Sequence, residues 1–434
     1  MLSIEQEKRI RALLEQSERA YAARDGATAM RLLLEAGNVA PEHPMVLNVA
    51  GIRALNEGHA AQARELFGRA LAREDKTAAL YVNLAAALRQ LQLPDEEGRA
   101  LEQALALEPR NLVALLNKAA LTERRGDKRA AATIYANALK TLQPGQSLPE
   151  GLRAALATAQ QAVLANTDAL EKHLEARLSS ARTTAPGSQE RFEHALGALL
   201  GRRRIYHPQP TQMHFPKVPA HEFYPREMFP WLASLEAAAA DVRAEFERVF
   251  VEDQNQLEPY IAYADGLPLD QWRDLNRSRR WSAYFLWRDG KPVDANLARC
   301  PRTAALLERM PLHDVPRHAP TAFFSILDAR TQIPAHTGVT NTRVIVHLPL
   351  VLPGKCRFRV GSDTREWRAG EAWVFDDTLE HEAWNDSDSP RAILIFDVWN
   401  PFINDAERAL IRETMPAIAD YYGTGTMGGE QGGI

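Results

Sequence analysis

The 434-residue sequence has few cysteines, no long apolar run and no excess of basic residues. Its two cysteines, Cys300 and Cys356, are too few for a disulfide framework and favour a reducing compartment. No apolar run approaches the ~18 residues that a membrane span needs. The first residues, MLSIEQEKRIRALLEQ, are charged and periodic, unlike a signal peptide. We therefore expect a cytoplasmic protein without a membrane span.

Charge and composition narrow the class of protein further. The formal net charge is −4, whereas nucleic-acid binding needs a concentrated basic face. We therefore expect no nucleic-acid partner. Charged residues make up 25% of the chain and hydrophobic residues 45%, which is ordinary for globular proteins. A chain of this length has room for two or three domains, each with its own core.

The first third of the chain contains an internal repeat of 34 residues, with units that begin at His43, Thr77 and Asn111. Residues 9–42 fit the register poorly and are interpreted as a degenerate capping unit. This period, with small and large residues at fixed places, is typical of tetratricopeptide helix pairs. The residues in register are Gly51, Ala85 and Ala119; Ala70, Ala104 and Ala138; Leu71, Leu105 and Leu139; and Phe67, Leu101 and Tyr135.

The chain changes character after the repeats. The segment 143–150 reads as a break, and about three helical stretches are expected from there to Leu200. Residues 183–188 are interpreted as a turn or a flexible link. The segment 205–225 is rich in proline, histidine and aromatic residues, which predicts an extended crossing. A helix is expected over roughly 231–250.

Short strands dominate from about residue 261. Four runs are rich in β-branched and apolar residues, and glycines punctuate them: 343–352, 357–360, 372–376 and 392–399. This pattern predicts an antiparallel double-sheet barrel of the jelly-roll or cupin kind. The expected fold class is multidomain α + β, with an α-helical tetratricopeptide solenoid followed by a double-stranded β-helix. The predicted domains are 1–145 (repeats), 146–205 (further helices and linker), 206–415 (barrel) and 416–434 (glycine-rich tail).

Two histidines and an arginine stand out among the predicted strands. His336 precedes the strand that begins near residue 343, and His381 is expected in a turn before Arg391. Two neutral imidazoles can hold a divalent transition metal and leave positions open. Alternation places Arg391 on an apolar strand face, where its charge needs an anion such as a bound dicarboxylate. These residues suggest a non-haem iron oxygenase with a dicarboxylate cosubstrate. The alternative is two loop histidines that hydrogen-bond the backbone.

Three more histidines need an interpretation. His347 shares a strand face with Arg343 and Ile345. It could be a third metal ligand, a hydrogen-bond donor to the cosubstrate, or a core histidine. His313 and His318 precede the barrel strands and are interpreted as ordinary loop residues.

The window 321–401 resembles the aspartyl/asparaginyl β-hydroxylase family of iron(II)- and 2-oxoglutarate-dependent dioxygenases. The resemblance weakens back to about residue 212. Several animal members of the family also carry an N-terminal repeat region. The matching motifs are FFSIL (323–327), PAHTG (334–338), TNTR (340–343), HL (347–348), FDD (375–377), HEAW (381–384) and DVWNP (397–401).

This resemblance implies roles for individual residues. His336 and His381 would ligate iron, Arg391 with Ser325 would hold the distal carboxylate of 2-oxoglutarate, and His347 would help to hold its chelating end. Many related oxygenases carry a carboxylate two residues after the first histidine. The residue there is Gly338, as in the family resembled.

One position departs from the family, which usually has arginines two and four residues before His347. This chain keeps Arg343 but has Ile345 at the nearer place. Arg343 could compensate as a cosubstrate ligand, or it could be a solvated charge at the strand end. The departure puts the affinity for 2-oxoglutarate in question.

Other residues near the site have two interpretations each. Asp376 or Asp377 could orient His381, or could cap the turn. The basic run 277–281 could attract an acidic substrate, or could be a solvated face.

The resemblance implies hydroxylation of the β-carbon of aspartate or asparagine. The repeats favour a peptide or protein substrate, and could bind a protein partner. The alternatives are a hydroxylase of a small molecule or lipid, and a repeat scaffold whose barrel is silent.

Overall fold

The structure is a computed structural model that describes residues 2–73, 76–143, 145, 147–184 and 189–423. The chain forms two compact units, Met1–Gln189 and Glu190–Ile434. The first is helical, and the second is built on two antiparallel sheets. The predicted domain borders divide the chain more finely than this and stay predictions. Within the described ranges, no helix is both long and apolar enough to cross a membrane.

The first unit is a row of helix pairs. Each odd-numbered helix from α1 to α7 packs against the next helix in sequence. The predicted repeat starts His43, Thr77 and Asn111 are the N-cap residues of α3, α5 and α7. The predicted solenoid of helix pairs is therefore confirmed, and α1 with α2 forms a further pair before the three repeats. The helices are α1 (Ile4–Ala22), α2 (Gly26–Val39), α3 (Pro44–Asn56), α4 (Ala60–Leu71), α5 (Ala78–Gln90), α6 (Pro94–Leu107), α7 (Leu112–Arg124), α8 (Lys128–Leu139) and α9 (Glu150–Thr184).

The small residues of the repeat lie where the two helices of a pair touch. Ala70, Ala104 and Ala138 are fully buried. A Cβ atom on Gly51 would lie only 2.6 Å from the ring of Phe67, which is itself fully buried. The residues in register therefore specify close packing within each pair, at the density of a protein interior.

The helices after the repeats differ from the prediction. In place of about three stretches up to Leu200, the structure has the 35-residue helix α9 and then α10 (Glu190–Leu199), which belongs to the second unit. The expected internal breaks are missing because neither proline nor glycine occurs between Leu152 and Thr184, and alanine-rich sequence continues a helix readily. Residues 185–188 of the predicted link lie outside the described residues.

The second unit is a sandwich of two antiparallel sheets. One sheet has the strand order β1-β2-β4-β11-β6-β9 with β3 paired to β2, and the other has the order β5-β10-β7-β8. From β4 to β11 the chain passes back and forth between the sheets, which is the connectivity of a double-stranded β-helix. The predicted fold class is confirmed. The strands are β1 (Glu258–Pro259), β2 (Trp281–Arg288), β3 (Lys291–Pro292), β4 (Ala322–Leu327), β5 (Thr331–His336), β6 (Arg343–Val351), β7 (Cys356–Val360), β8 (Asp363–Glu366), β9 (Trp373–Phe375), β10 (His381–Asn385) and β11 (Arg391–Trp399).

The remaining helices of this unit are α11 (Leu232–Ala237), α12 (Ala239–Glu252), α13 (Asp294–Arg299), α14 (Pro301–Leu307) and α15 (Asp405–Tyr422). The first two replace the single helix expected over 231–250, with a break at Ala238. The predicted tail at 416–434 begins inside α15, because its glycines start only at Gly423, the left-handed cap of that helix. Residues 424–434 lie outside the described part of the chain.

Alternation along β6 and β11 decides which side chains face the second sheet. The even-numbered residues, 344 to 348 and 392 to 396, pack in a cluster with the helices. The odd-numbered Ile345, Ile393 and Ile395 pack against the four-stranded sheet. His347 and Arg391 are odd-numbered as well, and both line a cavity between the two sheets.

Candidate active site

His336 and His381 lie side by side on neighbouring strands. His336 ends β5 and His381 begins β10, and the two residues are partners in the antiparallel register. Their ring centroids are 4.1 Å apart. The prediction of a turn at His381 is wrong, and the strand that ends at His336 was not predicted, because both strands are short and polar and Pro334 interrupts β5. Strand pairing therefore brings together two residues that are far apart in the sequence.

Backbone carbonyls orient both imidazoles. His336 Nδ1 lies 2.8 Å from the oxygen of Pro334, and His381 Nδ1 lies 3.0 Å from the oxygen of Leu379. Because a carbonyl only accepts, Nδ1 carries the proton in each ring and Nε2 keeps its lone pair. Burial lowers the pKa of His336 to about 4 and the pKa of His381 well below its usual value. Both rings are therefore neutral at pH 7, in the tautomer that binds a metal through Nε2.

Arg391 is buried at the start of β11 with only 1% of its surface exposed. Its Nη1 donates to the hydroxyl of Ser325 at 3.2 Å, and its Nε has no hydrogen-bond partner among the described residues. Burial lowers the pKa of this guanidinium to about 10, so it stays charged at pH 7. A buried cation with unused donors is costly until an anion binds it. The arrangement suits a carboxylate.

His347 lines the same cavity. Its ring contacts those of Phe375 and Phe358, with centroid distances of 4.7 and 5.0 Å. Burial lowers the pKa of His347 well below its usual value, so the ring is neutral. Its Nδ1 has no hydrogen-bond partner among the described residues. An unused ring nitrogen beside a cavity suits a hydrogen bond to a ligand, and this role stays a prediction.

One cavity joins these side chains. It contains about 380 Å³ of empty space, part of which is open to solvent. Its wall is mostly apolar or aromatic, with three histidines and one arginine as the polar groups, which is the usual composition of a small-molecule site. The lining residues are Trp281, Ile333, His336, His347, Phe358, Phe375, His381, Ala383, Arg391 and Ile395.

Arg343 does not line this cavity. It is 4% exposed, and its guanidinium lies 2.7 Å from a carboxylate oxygen of Asp397 and 3.4 Å from one of Asp377. The interpretation as a solvated strand-end charge is therefore wrong. The suggestion that Arg343 binds the cosubstrate also needs correction, because two buried aspartates already neutralise it. The main partner, Asp397, is 54 residues away in the sequence, so the pairing was not visible there.

The two aspartates before His381 have different neighbours. Asp376 accepts hydrogen bonds from the backbone N–H and the hydroxyl of Thr378, so it caps the turn, as one interpretation had it. The carbonyl of Leu379, and neither aspartate, orients His381. Asp377 is fully buried, and burial raises its pKa to about 7. A Cβ atom on Gly338 would collide with the Asp377 carboxylate, so glycine is required at the place where related oxygenases carry an acid.

Trp281 is a site residue that is not apparent from the sequence, where it stands at the end of the basic run 277–281. It is 3% exposed, and its indole N–H donates to the hydroxyl of Ser325 at 3.1 Å. Arg277, at the other end of the run, is exposed and pairs with Asp265 at 2.9 Å. The alternating aromatic residues of β2 were the signal that could have placed Trp281 on an inner face.

The other two histidines considered in the sequence analysis, His313 and His318, do not line the cavity. His313 is 4% exposed, with its Nε2 3.2 Å from the hydroxyl of Thr342 and its ring against Trp399. His313 therefore lies in a loop, as interpreted, but its side chain is buried there. His318 lies in a loop as predicted, with its Nδ1 3.0 Å from the oxygen of Pro316.

Across the described ranges, no group of three or more histidine, cysteine, aspartate or glutamate side chains could hold a metal ion. The fit of a metal therefore rests on His336 and His381, whose Nε2 atoms keep their lone pairs. The fit of a carboxylate rests on Arg391 and Ser325.

Part of the second unit is similar to a known protein family. Residues 236–401 match the family model described as aspartyl/asparaginyl beta-hydroxylase. The chain is 32% identical over 190 residues to the human aspartyl/asparaginyl beta-hydroxylase, a match covering 44% of this chain and 24% of that protein. It is also 32% identical over 186 residues to an ornithine lipid ester-linked acyl 2-hydroxylase of Rhizobium tropici, covering 42% of this chain and 62% of that protein.

Residues 236–401 are therefore similar to the aspartyl/asparaginyl beta-hydroxylase family, and the resemblance expected from the motifs is confirmed. The chain spans less than two thirds of the length of either relative. Among solved structures, a thermophilic TPR protein of Thermus thermophilus is 22% identical with a TM-score of 0.31, and the match covers 40% of this chain and 99% of that one.

Proposed function

We propose that the second unit is an Fe(II)- and 2-oxoglutarate-dependent hydroxylase. The observation that carries this proposal is one cavity that joins two neutral histidines to a buried, charged arginine. The histidines suit a divalent metal, and the arginine suits a carboxylate. The names of both relatives describe hydroxylases, which supports the same class of reaction.

Each residue has one task in this proposal. His336 and His381 hold the iron, Arg391 and Ser325 bind the distal carboxylate of 2-oxoglutarate, and His347 donates a hydrogen bond to its chelating end. When bound, iron and 2-oxoglutarate would supply the oxidising chemistry with dioxygen as the oxidant: one oxygen atom of O2 would enter the substrate C–H bond as a hydroxyl group, and the other would enter succinate as 2-oxoglutarate loses carbon dioxide.

The protein contributes position and a dry environment. The carbonyls of Pro334 and Leu379 keep both imidazoles in the tautomer that binds metal. The apolar wall, which includes Ile333 and Ile395, reduces the contact of the reacting groups with water. Ile345 is 1% exposed in this core. An isoleucine cannot donate a hydrogen bond to 2-oxoglutarate, as an arginine at position 345 could. We therefore expect this chain to bind 2-oxoglutarate more weakly than a relative with arginine there.

An anaerobic titration with iron(II) and 2-oxoglutarate tests the proposal. The chelate is expected to give a visible charge-transfer band in the wild type and none in His336→Ala, His381→Ala or Arg391→Ala. His318→Ala is the matched control, because His318 lies outside the cavity, and it is expected to keep the band. A folded wild type without a band would contradict the proposal and favour a silent scaffold.

We further propose that the substrate is an aspartate or asparagine side chain in a peptide or protein, hydroxylated at its β-carbon. The name of the human relative supports this substrate class, and helix-pair repeats commonly bind extended peptides or partner proteins. The Rhizobium tropici relative is named for a lipid acyl chain, so a lipid or small molecule is the second candidate.

Mass spectrometry of a deletion strain separates these candidates. The proposal predicts that a peptide loses the mass of one oxygen atom when the gene is absent. A lipid or metabolite that loses this mass instead would move the assignment to the second candidate.

A cytoplasmic location is also part of the proposal, and the two free, buried cysteines fit a reducing compartment. Cell fractionation with immunodetection tests it.

A further inference from the structure

Arg391 keeps its charge in the core without a counter-ion, and an aromatic ring lies against it. The guanidinium carbon is 5.2 Å from the centroid of the Trp367 ring. Trp367 is 6% exposed. Among the described residues, the hydrogen-bond acceptors of Arg391 are the hydroxyl and carbonyl oxygens of Ser325, and no carboxylate lies within ion-pair distance. The ring face of Trp367 is thus the electrostatic partner that the cation has in place of an acid.

Stacking holds the Trp367 ring in this position. Phe358 lies nearly parallel to it at 5.3 Å, and Trp373 at 5.9 Å. Phe358 also lines the cavity. The ring that contacts Arg391, Trp367, is therefore packed directly against a residue of the cavity wall. The indole N–H of Trp367 has no acceptor in the described part of the chain. A phenyl ring at this position would therefore break no hydrogen bond.

A ring face and a carboxylate leave an arginine in different states. The carboxylates of Asp397 and Asp377 occupy the donors of Arg343 and neutralise it. A ring face attracts a cation through its quadrupole and leaves the in-plane N–H donors unused. Among the described residues Nε is unpartnered in both arginines, so the difference between them lies in the two carboxylates within ion-pair distance of Arg343, which Arg391 lacks. The contact thus stabilises the charge of Arg391 without competing with an incoming anion.

We propose that Trp367 is a positioning residue for the cosubstrate: it stabilises charged Arg391, and so prepares the guanidinium to bind the distal carboxylate of 2-oxoglutarate. This inference rests on the proposed function, since it needs a dicarboxylate at Arg391. The proposal predicts that Trp367 strengthens binding of the distal carboxylate of 2-oxoglutarate and does not affect binding of the end that chelates the metal.

Calorimetric titration of the full-length protein, loaded with Mn(II), measures this effect without turnover. The two ligands are 2-oxoglutarate and 2-oxopentanoate, which differ only in the distal carboxylate. The wild type is expected to prefer 2-oxoglutarate. In Trp367→Leu the preference is expected to fall roughly tenfold, the effect of a desolvated cation–π contact. Trp367→Phe is expected to lose less, because phenyl is a weaker cation partner.

Trp384→Leu is the matched control, since Trp384 makes a cation–π contact with a different arginine, Arg357, at 4.5 Å and does not line the cavity. It is expected to keep the wild-type preference. A wild type without any preference would overturn the proposed function itself. A preference that survives in both Trp367 variants would overturn the role of Trp367 alone. Equal weakening of both ligands would also overturn it, because it would show a structural role only. If Trp367→Leu does not fold, Trp367→Phe decides the question.

Discussion

Two buried arginines of the second unit differ in what surrounds them. Arg343 is 4% exposed and lies between Asp397 and Asp377. Arg391 is 1% exposed and lies against Trp367, with no ion pair among the described residues. An arginine that is neutralised by carboxylates, such as Arg343, stabilises the fold. A buried arginine without an ion pair, such as Arg391, lowers stability but can bind an anionic ligand. The surroundings of each arginine, and not the residue type, decide its role.

This contrast predicts opposite effects of removing each charge. Arg343→Leu leaves two buried aspartates without their cation, so we expect the free energy of unfolding to fall by about 3–5 kcal/mol. Arg391→Leu removes an unpaired buried charge, so we expect unchanged or increased stability together with loss of 2-oxoglutarate binding. Urea unfolding at pH 7 measures both free energies. A large loss of stability in Arg391→Leu would contradict the interpretation of Arg391 as an unpaired charge.

At the scale of strands and helices, regular patterns were readable from the sequence and local exceptions were not. The apolar alternation of β6 and β11 predicted both strands and the faces of His347 and Arg391. The strands β5 and β10, which carry the histidine pair, were not predicted because both are short and polar, and Pro334 interrupts β5. The carbonyl of Leu379 was not predictable as the partner of His381, since any backbone has carbonyls and only the turn geometry selects one.

The helix pairs allow a test of the close packing that the repeat pattern predicts. In Gly51→Ala the new methyl group would lie 2.6 Å from the buried Phe67 ring, so we expect a loss of about 1–3 kcal/mol in the stability of the first unit. Gly68→Ala is the matched control on α4, where a Cβ atom meets nothing within 4 Å. Its gain in helix propensity is expected to stabilise the unit by about 0.5–1 kcal/mol.

Chemical denaturation followed by far-UV circular dichroism compares the two glycine variants. Equal effects of the two substitutions would show that Gly51 is not a close-packing position.

At the scale of the whole molecule, all the proposed ligand contacts lie in the second of two compact units. A ligand stabilises the part of a protein that binds it. We therefore expect Mn(II) with 2-oxoglutarate to slow hydrogen exchange in the strands from β4 to β11 and to leave the rates in α3 to α8 unchanged. Exchange followed by mass spectrometry measures this difference. The His381→Ala variant is expected to show no slowing in either unit.

The pairing of β5 with β10 also determines when the histidine pair comes into existence. Four strands, β6 to β9, lie between the two histidines in the sequence, so all four are synthesised before the two rings can meet. Closing such a long loop is slower than forming a local helix pair. The first unit can therefore fold during synthesis, before β10 has been synthesised and the histidine pair can form. A metal held by both histidines would therefore bind only after β10 has paired with β5, and separation of these two strands would release it.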